Sequence, residues 1–480
     1  MSNDNNGEKE ESGSLLAKIN LVSSTAALAL IARCLLYPTI LGFVPGFIGS
    51  EPAHLVIALQ LVNLRQVYLN HPKLLLESWL GRICLGVNSV CLSVFARNLY
   101  QGMFVVPKQF AQGLVTANVP PVISNDSSFR STMGRWLSLI PLFIISRRGV
   151  TVDVQHNIPY ADLNVVHPSM LERWKRTPLM VRDMSTLLLR GRMSKWLSLD
   201  VHALPPGQYE GKRPVLMYIH GGAWITGDKQ FASMALIKRL ASRGIVVCTI
   251  NYRMSPEVAY PDHIIDCKRA LLFIKKHCEV WGGDSNKVFV AGESAGGHLS
   301  SLMGCTGNYA AFQPPESPLG DTSVVGALPI YGVYDWMDQD GHLHEVSQVY
   351  GGVKIGIRPL VSLAVIQSLM TEDTKHMWEA YSPTYHLKRM VREAVENPKL
   401  PPFFLSHGTL DALTSYEDSR RFYEQILAVR AKFPLPPTSG DAHVTVEGGI
   451  HGFGYGPTPR SHIMADAFCD FIFYHASSIQ

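Results

Sequence analysis

Charge is scarce in this chain of 480 residues: Asp, Glu, Lys and Arg make up 17% of it and nearly cancel, leaving +4. No run of Lys or Arg concentrates that excess, which argues against nucleic acid as a partner. Cysteine is thin as well, with 8 residues at positions 34, 84, 91, 248, 267, 278, 305 and 469 and no CxxC pair among them. Such spacing shows no disulfide framework, so mostly buried free thiols are expected, with one or two disulfides in a lumenal location as the alternative. No metal or organic cofactor is implied. A cleavable secretory leader is not expected, because the start is not basic, the apolar zone is too long and no cleavage site closes it. Internal repeats are missing. The single glycosylation sequon, Asn125-Asp126-Ser127, is a pattern common by chance.

Apolar residues, by contrast, reach 46% and are unevenly spread. Residues 1–13 are polar and read as a disordered tail. Residues 14–149 read as a helical, membrane-embedded region. Its apolar runs cover 19–48 (interrupted by Arg33, Pro38 and Pro45), 53–64, 78–96 (broken by Arg82) and 137–145. A spanning helix needs about 20 apolar residues, which the first and third runs supply. Two or three membrane helices are expected. Helices lying in the bilayer interface, or a buried helical domain of a soluble protein, are the alternatives. Arg97, Lys108, Arg147 and Arg148 are too few to set the topology.

From residue 150 the pattern becomes alternating strand and helix. Strands are expected at 150–155, 215–220, 245–251, 287–291, 324–331, 402–406 and 444–447. Helices are expected at 231–243, 262–277, 416–431 and 461–474. That alternation predicts a mainly parallel sheet covered on both faces. Residues 165–200 read as a linker or lid segment with helical spacing. Residues 334–400, with the apolar run Ile357 to Met370, read as an insertion that either covers a site or forms crossover helices.

The chemistry starts at Gly292-Glu293-Ser294-Ala295-Gly296. It follows the strand Val288–Ala291 and leads into a helix-compatible stretch. A strand, sharp turn and helix start of this kind lifts a serine hydroxyl clear of the backbone. His220-Gly221-Gly222-Ala223-Trp224 also follows a strand directly, and its glycines let successive N–H groups face one point. The amides of Gly222, Ala223 and Ala295 are the expected oxyanion hole, with Gly221 supplying the turn. A serine nucleophile needs a base and an orienting acid. Among 18 histidines, His451 stands out because glycines flank it on a loop after the last expected strand. His407, His443 and His462 are poorer placed, at strand ends or on a helix. Asp411 is the expected acid, just past a strand and 40 residues ahead of His451. Asp335 is its rival.

These motifs resemble those of the α/β-hydrolase superfamily, and within it the hormone-sensitive-lipase-like esterases. The resemblance is carried by His220–Trp224, Asn251-Tyr-Arg-Met-Ser-Pro256 with Tyr260-Pro261, Gly292–Gly297, His407-Gly-Thr-Leu-Asp411 and His451-Gly-Phe453. It covers roughly residues 150–475 and leaves 1–149 unmatched. It implies a Ser294–Asp411–His451 triad and the oxyanion hole named above. Ala223 stands where the family usually has a third glycine, a variant also seen in prenylcysteine methylesterase-like members. Glu293 stands where Asp is common.

The expected fold is therefore an α/β-hydrolase domain at 150–480 behind an α-helical membrane region. The expected function is a membrane-associated serine carboxylesterase or lipase acting through an acyl-enzyme. Its partners would be a small apolar ester or lipid and the membrane lipids themselves, and its expected location is a membrane, that of the endoplasmic reticulum. The alternatives are an amidase or deacetylase using the same residues, and a ligand-binding member of the fold without catalysis.

Overall fold

The computed structural model describes residues 4–36, 53–122, 152–162, 197–338, 348–350, 353–355, 365–367, 371–393, 400–433, 440–456 and 458–479. The run 137–145, the sequon at Asn125 and most of 165–200 lie outside these residues.

The front of the chain is helical: α1 Asp4–Leu36, α2 Ala53–Asn70, α3 Pro72–Leu76 and α4 Trp79–Tyr100. The helix α1 takes in residues 4–13, which the composition assigned to a disordered tail. Glu8, Lys9, Glu10 and Glu11 are good helix formers, and adding turns to a helix already formed is far easier than starting one. The interior between α1, α2 and α4 mixes apolar side chains, among them Leu21, Leu28, Val67 and Phe95, with buried polar ones. Asn88 is buried and donates from Nδ2 to Thr25 Oγ1 at 2.8 Å, while Gln60 Nε2 donates to Asn88 Oδ1 at 2.6 Å. Leu16, Leu59, Val62, Trp79 and Val90 point outward and are exposed. By length and composition, two stretches, Ser14–Ala32 and Trp79–Thr116, are long and apolar enough to cross a membrane.

A π-helical turn, Gln101–Val105, joins α4 to α5, Val106–Thr116. Here the boundary expected near residue 150 does not separate the packing. Val106, Phe110 and Leu114 of α5 are fully buried in one cluster with Phe404, Val444 and Phe468. Phe110 stacks on Phe404 with ring centroids 6.3 Å apart. Burying side chains of this size contributes about 1.5–3 kcal/mol each. The sequence pattern did not separate α5 from the apolar runs before it, because membrane and core helices share one vocabulary.

Eight strands form the central sheet: β1 Asp153–Pro159, β2 Ser198–Ala203, β3 Arg213–Ile219, β4 Val246–Ile250, β5 Gly283–Glu293, β6 Ala327–Ile330, then, past a small hairpin, β9 Phe404–Gly408 and β10 Ala442–Val446. The hairpin is β7 Gln348–Tyr350 with β8 Val353–Ile355. The sheet order is β1-β2-β4-β3-β5-β6-β9-β10; β2 runs antiparallel to both β1 and β4, and the remaining pairs are parallel. Its helices are α6 Met234–Ser242, α7 Asp262–His277, α8 Ala295–Thr306, α9 Lys375–Tyr381, α10 Pro383–Arg392, α11 Tyr416–Lys432 and α12 Pro459–Ser477.

The central strands read as unbroken apolar runs because both faces are covered. Along β3, Val215, Met217 and Ile219 face the cluster that includes α7 and α8, while Leu216 and Tyr218 face the cluster of α5, α6 and α12. The strand β2 falls in part in the stretch read as a linker. Its polar Asp200 is buried and serves as an acceptor, taking Asn157 N at 2.7 Å and pairing with His156 at 2.9 Å. That buried polar residue disguises a strand whose Leu199 and Val201 lie in the core. Between β6 and β9, α9 and α10 pack into the core through Trp378 and Leu387, as crossover helices do.

Candidate active site

The parallel strands end at one rim, and the four expected loops leave from it: after β3, β5, β9 and β10. Ligands in open α/β sheets bind at this edge.

Ser294 follows β5 with φ +56° and ψ −117°, a region sparsely used by non-glycine residues. Such backbone costs about 1–3 kcal/mol and persists only where neighbours enforce it. Here β3 and α8 enforce it. A Cβ on Gly296 would stand 2.1 Å from Ile219 O, and one on Gly292 would stand 2.4 Å from Gly296 O. The two glycines thus let strand, turn and helix close up around the serine, which remains half-buried and reachable.

His451 lies on the loop after β10. Its Nε2 is 2.9 Å from Ser294 Oγ, and its Nδ1 is 2.8 Å from Asp411 Oδ2. Asp411, fully buried after β9, also accepts the amides of Leu413 and Thr414 on Oδ1, both at 2.9 Å. Burial would push its carboxyl up, but the charge and hydrogen bonds of His451 and His407 outweigh that and hold it below the ordinary range. The structure therefore brings Ser294, His451 and Asp411 into one hydrogen-bonded line.

The rival Asp335 accepts the Met337 amide at 3.0 Å, the turn role common for Asp. His407 meets Asp411 rather than the serine, with Nε2 3.3 Å from Oδ2. His443 pairs with Ser419 Oγ at 2.9 Å, and burial pushes it down to about 3. His462 lies on α12, pushed down by burial to about 4.

The loop after β3 presses on the serine. A Cβ on Gly221 would lie 3.1 Å from Ser294 Cβ. Ala223 and Trp224 both have positive φ, +53° and +61°. Among the described residues, the amides of Gly222, Ala223 and Ala295 meet no protein acceptor. Ala295 begins α8, so its N–H is one of the free donors at a helix start.

Four neighbours escaped the sequence reading. Thr414 Oγ1 sits 3.0 Å from Asp411 Oδ2 and 3.3 Å from His451 Nδ1. Tyr331 packs its ring 4.7 Å from that of His451. Tyr331 and Tyr218 donate to Glu293 Oε2 at 3.2 and 3.1 Å, and Ser233 donates to the same oxygen. Burial raises the Glu293 carboxyl, and these three hydroxyls partly offset it. The one sequence signal for this cluster was the acidic residue beside the serine.

Residues 199–426 match the family model described as BD-FAE. They are similar to carboxylesterase-like α/β-hydrolases. This hydrolase region is 37% identical over 231 residues to "Probable carboxylic ester hydrolase LipM" of Mycobacterium tuberculosis, covering 48% of this chain and 49% of that protein. It is 26% identical over 238 residues to "Isoprenylcysteine alpha-carbonyl methylesterase ICME" of Arabidopsis thaliana, covering 50% and 52%. A thermostable esterase from Pseudomonas putida ECU1011 of known structure matches at 22% identity with a TM-score of 0.41, over 57% of this chain and 76% of that one. The chain spans about half the length of these curated relatives.

Among the described residues, no group of His, Cys, Asp and Glu gathers as a metal site. Seven of the cysteines, Cys84, Cys91, Cys248, Cys267, Cys278, Cys305 and Cys469, are buried and free.

Proposed function

We propose that the protein is a membrane-associated serine esterase that cleaves an apolar carboxylic ester. The reading rests on one observation: Ser294 Oγ lies 2.9 Å from His451 Nε2, while Asp411 takes the other ring nitrogen at 2.8 Å. Asp411 holds the tautomer in which Nε2 is free to accept. His451 then takes the Ser294 proton as Oγ attacks the ester carbonyl. The developing oxyanion meets the amides of Gly222, Ala223 and Ala295, each such donor being worth on the order of 10²–10³ in rate. The imidazolium returns its proton to the leaving alcohol, and the acyl-enzyme is hydrolysed by a water that His451 deprotonates.

Support for the membrane comes from the apolar outer face of the front bundle and the polar contacts inside it. Buried Asn88, Gln60 and Thr25 hydrogen-bond to each other while leucine and valine face out. Lipid tails tolerate that surface, and polar side chains join helices within it. In water it would form an apolar patch needing cover. An enzyme held there meets esters that partition into lipid. The relatives described as prenylcysteine methylesterases favour the same substrate class.

The test is a fluorophosphonate probe on the full chain. Labelling of the wild type but not of Ser294→Ala, with hydrolysis of long p-nitrophenyl esters over matched anilides, is the expected result. Equal labelling of both proteins would reject Ser294 as nucleophile, and faster anilide cleavage would make the enzyme an amidase. Retention of the chain in the membrane pellet after carbonate washing is expected; its release would reject the membrane reading.

A further inference from the structure

The front helices do more than stand beside the hydrolase region. Asn98, in the last turn of α4, is buried and donates from Nδ2 to Gly448 O at 3.2 Å. Gly448 lies three residues before His451. Arg460, buried at the start of α12, donates from Nη1 to Asn98 Oδ1 and from Nη2 to Asn98 O, both at 3.2 Å, and reaches Glu447 O at 3.3 Å. Gln101 Nε2 donates to Glu447 Oε1 at 3.2 Å, and Gln109 Oε1 accepts the Glu447 amide at 3.0 Å.

Apolar contacts repeat the arrangement. Ile450, next to His451, is buried with Leu28, Cys91 and Phe95 of the front helices, and Leu410, next to Asp411, packs on the same cluster. Gly448 has φ +66°, and a Cβ there would lie 2.6 Å from Gln101 Oε1 and 3.2 Å from Asn98 Nδ2. The loop is thus shaped to accept these side chains. Neither residue is placed for local stability. Asn is a poor helix former, and a cation in the first turn of α12 opposes the helix dipole.

We propose that Asn98 and Arg460 are positioning residues that clamp the loop carrying His451, so that the front helical layer sets the alignment of the base with Ser294. This rests on the serine-esterase reading above. The covalent chemistry stays with Ser294, His451 and Asp411, and the clamp acts through the loop.

The experiment uses the full chain in detergent with Asn98→Leu, Arg460→Met and the double variant. Gln101→Ala, at a partly exposed site, covers the event that a buried variant folds poorly. Val90→Ala, on the exposed face of α4, is the control. Rates are expressed per Ser294 titrated by fluorophosphonate, so that unfolded molecules do not count. The expected result is a fall in kcat of about 10- to 10²-fold with KM held within about twofold, as misplacement of a catalytic group produces. The double variant should cost less than the product of the singles, because one clamp is broken twice. Gln101→Ala should lower kcat in the same sense but less. Unchanged kcat per titrated serine in the single variants and in Gln101→Ala overturns the clamp alone. A wild type that neither labels nor hydrolyses esters overturns the clamp together with the serine-esterase reading.

Discussion

His407 Nε2 stands 3.3 Å from the same Asp411 oxygen that His451 holds at 2.8 Å, so one carboxylate lies between two imidazoles. Only one of the two rings reaches Ser294. The unequal partners give unequal expectations. Asp411→Asn should leave the fold intact and lower kcat by about 10⁴-fold, because an amide no longer favours the productive tautomer. His407→Gln should stay within about one order of magnitude of the wild type, since His451 keeps its carboxylate. Steady-state ester hydrolysis checks both, and a reversed ranking would reject the pairing of Asp411 with His451 as the productive one.

The oxyanion loop offers a second test. In the proposed mechanism Ala223 contributes an N–H and not a side chain, and its φ of +53° suits glycine better. Ala223→Gly should therefore retain hydrolysis within several-fold of the wild type. A loss of about 10²-fold or more would mean that the methyl group itself shapes the site.

Asp418 supplies a pH test. It is buried and accepts the Tyr334 amide at 2.7 Å, and burial pushes its carboxyl up to about 7, with Asp335 and Asp338 adding to the rise. The folded chain then holds this proton more tightly than the unfolded chain, whose value is 3.8. The folded state binds more protons between those limits, so stability from this group is full below 3.8 and falls as pH rises toward about 7. Asp418→Asn cannot ionise. Its melting temperature relative to wild type should climb across that window, and a constant difference would reject the assignment.

The contact of α5 with the sheet predicts a core-type penalty. Phe110→Ala should destabilise the hydrolase region by roughly 3–5 kcal/mol. Denaturant unfolding followed through loss of fluorophosphonate labelling reads this directly. An unchanged midpoint would show that α5 packs without stabilising.

The rim of the sheet was legible in the sequence because each loop there combines strand, glycine and one chemical group. Gly292 and Gly296 flank Ser294 for a steric reason that leaves a spacing, and His451 and Asp411 inherit their places from chain order. Strand β2 was illegible because Asp200 and His202 are buried polar residues, and polar side chains buried in a strand break its apolar pattern. Thr414 and Tyr331 were missed because hydroxyls become partners only when loops from different strands meet. The described part of the front end is helical. Its attachment was not visible, since Asn98 and Gly448 are 350 positions apart.

Helix α5 closes one side of the sheet with Phe110 against Phe404, and a Cβ on Gly113 would fall 2.4 Å from Val444. Shortening the gene to begin at codon 150, the natural cut for anyone seeking a tractable enzyme, would strip the insulation from that wall. The trimmed product would bare aromatic and valine surface to water, and its handling in solution would report the missing helix before any assay did.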